Sequence, residues 1–181
     1  MVSGMTEPRW LDEREARAWR GYLRMRALLD LQISRDLARD AGLSDADYHV
    51  LAVLSETPSH RVRVIELAER MLWSQSRLAH HLDRMEHRGL VRRQEHPTNA
   101  RARDVVLTTT GLRVIEAAAP DHLDSVRQHF IDLLTDEQID ALGELTETVV
   151  HHLRGLTEKR GGDSPGDTAN PCSGGVEAGV R

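Results

Sequence analysis

The side chains of this sequence best suited to chemistry lie between positions 74 and 87, where polar and basic residues recur at helical spacing. At about 100° per residue, one helical face collects the following residues: Ser76, Arg77, His80, Arg84 and His87. Leu78, Leu82 and Met85 form an apolar stripe on the opposite side. The pattern predicts a helix from Ser74 to Arg88 that packs one face and presents a polar, basic face.

The first turn of this helix has the side chains that pair with the edges of nucleobases. It consists of Ser74, Gln75, Ser76 and Arg77. Arg77 can form a bidentate pair with guanine and Gln75 with adenine, each contributing roughly 1 to 3 kcal/mol of discrimination. Arg84 lies about two turns further on, where a guanidinium holds a phosphate without reading sequence.

Charge along the chain agrees with a polyanionic partner. Ten arginines and six acids lie between His60 and Asp104, a net charge of +4, whereas the whole chain carries −5. A basic centre between acidic flanks is typical of a nucleic-acid surface, and a solvated Arg/Glu surface is the alternative. All but one of the 24 Lys and Arg residues are arginines, so arginine is common throughout the chain. Only the position of an arginine in the fold can therefore distinguish a nucleic-acid surface from a solvated one.

The elements around this helix can be read from periodicity, capping and turn residues. Helices are expected from Trp10 to Asp40, from Ser44 to Thr57, from Val64 to Met71, and from Thr109 onward with an interruption near Pro120. A last helix starts at Thr135, which forms a capping box with Gln138 as Ser44 does with Asp47. Strands are expected at Arg61–Arg63, Leu90–His96 and Asp104–Thr108, with a turn at 97–99. The order helix, tight turn, helix, hairpin predicts a mainly α fold with a small β-hairpin, the winged helix-turn-helix.

Several function classes are not supported by the sequence. Cys172 is the only cysteine and the chain has six aromatic residues, which excludes an intramolecular disulfide and argues against a ring-stacking cofactor clamp. His80, Asp83 and His87 share a helical face without a known zinc spacing, so no metal and no cofactor are expected. No catalytic constellation is visible, so an enzyme is not expected. Without a signal peptide or an apolar run of about 20 residues, we expect a cytoplasmic protein with no membrane partner.

At these residues the chain resembles the multiple-antibiotic-resistance regulator (MarR) family of bacterial transcription regulators. The resemblance spans residues 10–156 and is strongest in SQSRLAHHLDRMEHRGLV at 74–91 and PTNARARDVVLTTTG at 97–111. It implies a homodimer that binds pseudo-palindromic double-stranded DNA, acts as a repressor and is released by a small-molecule effector. The expected regions are a flexible N-terminus (1–9), an N-terminal dimerisation helix (10–43), a winged helix-turn-helix region (44–110), C-terminal dimerisation helices (111–156) and a tail (157–181) whose glycine-rich composition without periodicity predicts disorder.

The resemblance also assigns further residues. The family's wing arginine falls on Arg101, for contact with the minor groove, and the acidic residue two positions earlier is replaced by Asn99, so Arg103 is expected to share this contact. The effector pocket is expected at Trp19, Tyr22 and His49. The alternative hypothesis is a helical dimer whose winged domain has been reused for protein interaction.

Overall fold

The computed structural model describes residues 8–161, except for the side chains of residues 100, 101 and 157–161. These residues fall in two compact units divided between Leu134 and Thr135. The first unit contains α1 (Glu13–Ala41), α2 (Asp45–Glu56), β1 (Arg61–Arg63), α3 (Val64–Arg70), α4 (Gln75–His87), β2 (Val91–His96), β3 (Asn99–Leu107), α5 (Thr109–His129) and a 3-10 turn at Ile131–Leu133. In the second unit, α6 spans Asp136–Gly161.

Side-chain caps set the helix boundaries. Ser44 and Asp47 form the predicted reciprocal capping box at the start of α2, and Thr135 and Gln138 exchange the same two hydrogen bonds ahead of α6. The first helix begins at Glu13 rather than Trp10, because Asp12 forms a capping box with Glu15. At its other end Gly42 adopts φ +62°, a left-handed conformation that glycine reaches without steric cost.

A three-stranded antiparallel sheet in the order β1-β3-β2 forms the wing. Val62 of β1 lies opposite Val105 of β3, and Val91 of β2 lies opposite Leu107. These four side chains are buried in one core with the apolar face of α4. The sheet therefore continues the core that holds α4 in place.

Thr108 and Gly111 join the wing to α5. The Thr108 hydroxyl caps α5 by accepting from the Gly111 N–H at 2.9 Å, and it donates toward the carbonyl of Gly89 at 2.7 Å. A Cβ at position 111 would lie 2.0 Å from the carbonyl oxygen of Leu90. Only glycine permits this close approach between α5 and the start of β2.

Three expectations from the sequence need correction. Helix α5 runs through Pro120 without ending, because the proline removes only one donor from the helical ladder while Ile115 and Ala118 remain buried against the core. Strand β3 begins at Asn99 and not at Asp104, which shortens the turn to Pro97 and Thr98. Helix α6 continues through residues 157–161, which were expected to belong to a disordered tail. Residues 1–7 and 162–181, with Cys172, lie outside the described residues.

Candidate nucleic-acid interface

Helix α4 presents the predicted polar face to solvent. A tight turn joins it to α3, in which Leu72 adopts φ +53° and is 93% exposed. Ser74 caps the helix by accepting from the Arg77 N–H at 3.2 Å, as predicted. All the α4 residues proposed to contact DNA are exposed: Ser74, Gln75, Ser76, Arg77, His80 and Arg84. The structure brings these residues together on one accessible face whose opposite side is Leu78, Leu82 and Met85 in the core.

Trp73 supports Arg77, a contact that the sequence analysis did not anticipate. The guanidinium carbon of Arg77 lies 4.2 Å from the centroid of the Trp73 ring. The ring is half-buried and packs against the core. Cation–π contacts at such sites contribute about 0.5 to 1 kcal/mol. The contact restricts Arg77 before any partner arrives.

His81 is a core residue of α4. It is 5% exposed, and burial lowers the pKa of its ring, against the opposing effect of the nearby Asp47 carboxylate. The edge of the ring faces Trp73, with centroids 5.3 Å apart. Position 81 lies three residues after Leu78 and four before Met85, so helical spacing was a signal for its burial.

Four arginines of the basic segment are held in ion pairs within the fold. Arg88 donates to Asp47 at 2.7 Å and to the Gly42 carbonyl at 3.0 Å, which ties the end of α4 to α2 and to the end of α1. Arg93 of β2 binds Asp83 and Glu86 of α4 and so fixes the wing to this helix. The other two pairs are Arg70 with Glu66 and Arg61 with Asp104.

A second group of arginines is exposed and has no carboxylate within 4 Å among the described side chains. It consists of Arg63, Arg77, Arg84, Arg92 and Arg103. The excess positive charge of the segment is therefore carried on α4 and the small sheet. These are the guanidinium groups available to a polyanion.

The wing places its arginines in a strand instead of at a turn. Arg103 is exposed and lies opposite Glu95 in the β2–β3 ladder. Arg101 lies in β3, but its side chain is outside the described part of the structure. The minor-groove contacts of both arginines remain predictions.

The proposed effector residues are all at the surface of the first unit. Trp19 and Tyr22 stack on α1 with ring centroids 5.7 Å apart and are 53% and 45% exposed. His49 is exposed on α2. Among the side chains that the structure describes, no three His, Cys, Asp or Glu residues are grouped so as to hold a metal ion. On α4, Asp83 is occupied by Arg93.

Comparisons with known proteins agree on one family. The MarR family profile matches residues 43–102. The transcriptional regulator HosA of Escherichia coli O111:H- is 32% identical over 109 residues, which cover 60% of this chain and 78% of HosA. None of the helices described in the structure is long and apolar enough to cross a membrane.

Two solved structures from Streptomyces coelicolor are similar over most of the described chain. AbsC, a MarR family transcriptional regulator, has 40% sequence identity and a TM-score of 0.79, covering 82% of this chain and 99% of AbsC. Sco3205, a MarR family regulator solved in complex with DNA, has 41% identity and a TM-score of 0.78, covering 81% of this chain and 92% of Sco3205. The extent and the identity of these matches show that the chain belongs to the MarR family of transcriptional regulators.

Proposed function

We propose that this protein is a sequence-specific, homodimeric transcriptional regulator that inserts α4 into the major groove of operator DNA. Arg77 and Gln75 read base edges, Ser74, Ser76 and His80 contact the duplex beside them, and Arg84 holds a phosphate. Arg101 and Arg103 contact the minor groove next to the site. Acting on chromosomal DNA requires the protein to work in the cytoplasm.

The observation that carries this proposal is the division of the arginines. Arginines that brace α4 against its neighbours are ion-paired, whereas Arg77 and Arg84 on the open face of α4 have no carboxylate partner among the described side chains. A guanidinium that no carboxylate neutralises, on the exposed face of a helix that follows a tight turn, is suited to bind a duplex. The DNA complex of the similar protein Sco3205 supports this reading.

Exposed apolar side chains support a homodimer. On α1, Leu28 and Leu31 are 57% and 47% exposed, and on α6, Leu145 and Leu153 are 60% and 54% exposed. Large apolar side chains exposed along two long helices are typical of surfaces that another protein chain covers. A second copy of the chain, related by a two-fold axis, would cover them and would present two α4 helices to a pseudo-palindromic site.

We further propose repression that a small molecule relieves. An effector near Trp19, Tyr22 and His49 would need a different affinity for the DNA-bound and DNA-free arrangements of the dimer. Titration of candidate small molecules against the intrinsic tryptophan fluorescence, with and without DNA, tests this part. An effector that binds equally well in both states would contradict release.

Selection of bound sequences from a random duplex pool tests the main proposal. We expect enrichment of an inverted repeat, and binding that weakens steeply as salt rises because counterions are released from the phosphates. In Arg77→Ala we expect a relaxed base preference at one position in each half-site, with overall affinity for unrelated duplexes retained.

The same experiment separates DNA recognition from a reused protein-interaction domain. If the winged region served only protein contacts, the protein would not be retained on heparin or on duplex DNA even at low salt. That result, with a folded dimer, would contradict the proposed function.

A further inference from the structure

The inner side of α4, opposite its exposed face, includes a buried histidine that packs near a carboxylate of α2. This histidine is His81, which is 5% exposed. Its Nδ1 lies 2.8 Å from the Nη2 atom of Arg84, and its Nε2 lies 3.2 Å from Oδ1 of Asp47 on α2. A buried histidine therefore contacts one of the arginines proposed to hold DNA.

The contact with Arg84 fixes the protonation of the ring. A guanidinium can only donate hydrogen bonds, so Nδ1 of His81 has to be the acceptor and carries no proton. The neutral ring then carries its proton on Nε2, which faces the Asp47 carboxylate. Asp47 is itself held by Arg88 at 2.7 Å and by the Ser44 N–H at 3.0 Å. The tautomer is thus set by charges that belong to the fold.

Burial and two neighbouring arginines favour the neutral state of the ring. Burial, Arg84 and Arg77 all lower the pKa of His81, while Asp47 and the backbone of Ala46 raise it. A protonated ring would direct an N–H toward Arg84 and lose the acceptor. The neutral ring leaves Nδ1 available to this guanidinium.

We propose that His81 is a positioning residue for DNA binding, which holds the Arg84 guanidinium in the orientation that meets a phosphate. This inference rests on the proposed function and names a residue that itself does not touch DNA. An arginine side chain loses rotamer freedom when it binds, and a partner that has already restricted it reduces that loss. The negative charge of Asp47 on α2 lies 3.2 Å from the other ring nitrogen of His81, although no hydrogen bond joins the two.

Two polar substitutions of similar size separate positioning from simple filling of the core. The amide oxygen of asparagine in His81→Asn is placed as Nδ1 is, and can still accept from Arg84. The amide of glutamine in His81→Gln is placed as Nε2 is, facing Asp47, and leaves Arg84 without its acceptor. We expect His81→Asn to bind the selected duplex within about twofold of wild type, and His81→Gln to bind about threefold more weakly.

A double-mutant cycle on the full-length protein then tests whether the effect passes through Arg84. Fluorescence anisotropy at pH 7.5 and fixed salt should show a loss of about tenfold in Arg84→Ala, because each of the two protomers loses an exposed ion pair that contributes about threefold. The double variant His81→Gln/Arg84→Ala should also lose about tenfold, because no arginine remains to be positioned. His122→Gln is the matched control, since burial lowers the pKa of His122 as well, but this residue lies on α5 beside Tyr48. The affinity of this variant should stay within about twofold of wild type.

The outcomes that would overturn the inference are specific. A loss of about thirtyfold in the double variant would mean that the two changes act independently. Equal losses in His81→Asn and His81→Gln would mean that the ring only fills space. If the glutamine variant does not fold, His81→Leu takes its place in the cycle. Leucine fills a similar volume in the core and has no atom that could accept from Arg84. A wild-type protein that binds no duplex would instead refute the proposed function itself.

Discussion

Replacing Arg88 with methionine should destabilise the protein while leaving its DNA contacts intact. Arg88→Met keeps the length and helix propensity of the side chain but removes two hydrogen bonds, one to Asp47 at 2.7 Å and one to the Gly42 carbonyl at 3.0 Å. The Asp47 side chain is only 7% exposed, but it keeps its bond from the Ser44 N–H. The destabilisation should therefore be smaller than that caused by a buried charge with no partner at all.

The size of the effect follows from burial on each side of the pair. Hydrogen bonds to charged groups contribute about 1.5 to 3 kcal/mol, and exposed ion pairs contribute less than about 1 kcal/mol. Because Arg88 is 42% exposed and Asp47 is buried, we expect a loss of about 1 to 2 kcal/mol in the free energy of unfolding. Urea denaturation at pH 7 and at a fixed protein concentration measures this loss. The dependence of the free energy of unfolding on urea concentration (the m-value) should stay unchanged. Arg92→Met is the control, because Arg92 is exposed and has no carboxylate partner among the side chains that the structure describes; it should change the free energy of unfolding by less than about 0.5 kcal/mol.

The salt dependence of DNA binding separates the arginines that brace the fold from those proposed to contact DNA. The slope of log affinity against log salt should be unchanged in Arg88→Met and should fall by about 1.8 in Arg84→Met, the amount expected when each of the two protomers loses one phosphate contact. An Arg88→Met protein with wild-type stability and a reduced salt slope would refute the division of the arginines into two groups.

Three further predictions address packing, pH and base reading. Gly111→Ala should destabilise the fold by about 2 to 4 kcal/mol in urea denaturation, because the added methyl meets a backbone carbonyl, whereas Gly143→Ala in open space on α6 should not destabilise it. Stability should fall as pH drops below about 6.5, because burial lowers the pKa of His81 and His122 in the folded state and the unfolded chain then binds more protons. Thermal melts from pH 7.5 to 5 measure this effect, and a melting temperature that stays constant or rises as pH falls would contradict it. Selection with Arg77→Ala should lose guanine preference at one position per half-site, and an unchanged sequence logo would remove Arg77 from base reading.

The sequence was sufficient for the features that depend on local chemistry. The Ser44–Asp47 capping box, the short strand Arg61–Arg63 and the cap of α4 at Ser74 were all predicted correctly, because each depends on neighbouring residues or on helical spacing. The exposed face of α4 follows from the same periodicity. The winged helix-turn-helix order could be predicted for the same reason.

The features that the sequence did not show depend on contacts between distant residues. Arg88 and Asp47 are 41 residues apart, and nothing in the local pattern of either predicts their ion pair. Pro120 was expected to interrupt a helix, but packing on both sides of it maintains α5. His81 is the exception, because its spacing from Leu78 and Met85 indicated burial while its polar type suggested the surface.

The central claim is that two copies of α4 read one face of the duplex, and helical phasing tests it most directly. The half-site enriched by selection is placed twice on a duplex, as an inverted repeat with centres about 10 or about 15 base pairs apart, and the affinity is measured by anisotropy. We predict tight binding at the first spacing and binding close to that of a single half-site at the second, since the second copy then faces the opposite side of the helix. Equal affinity at both spacings would contradict the account.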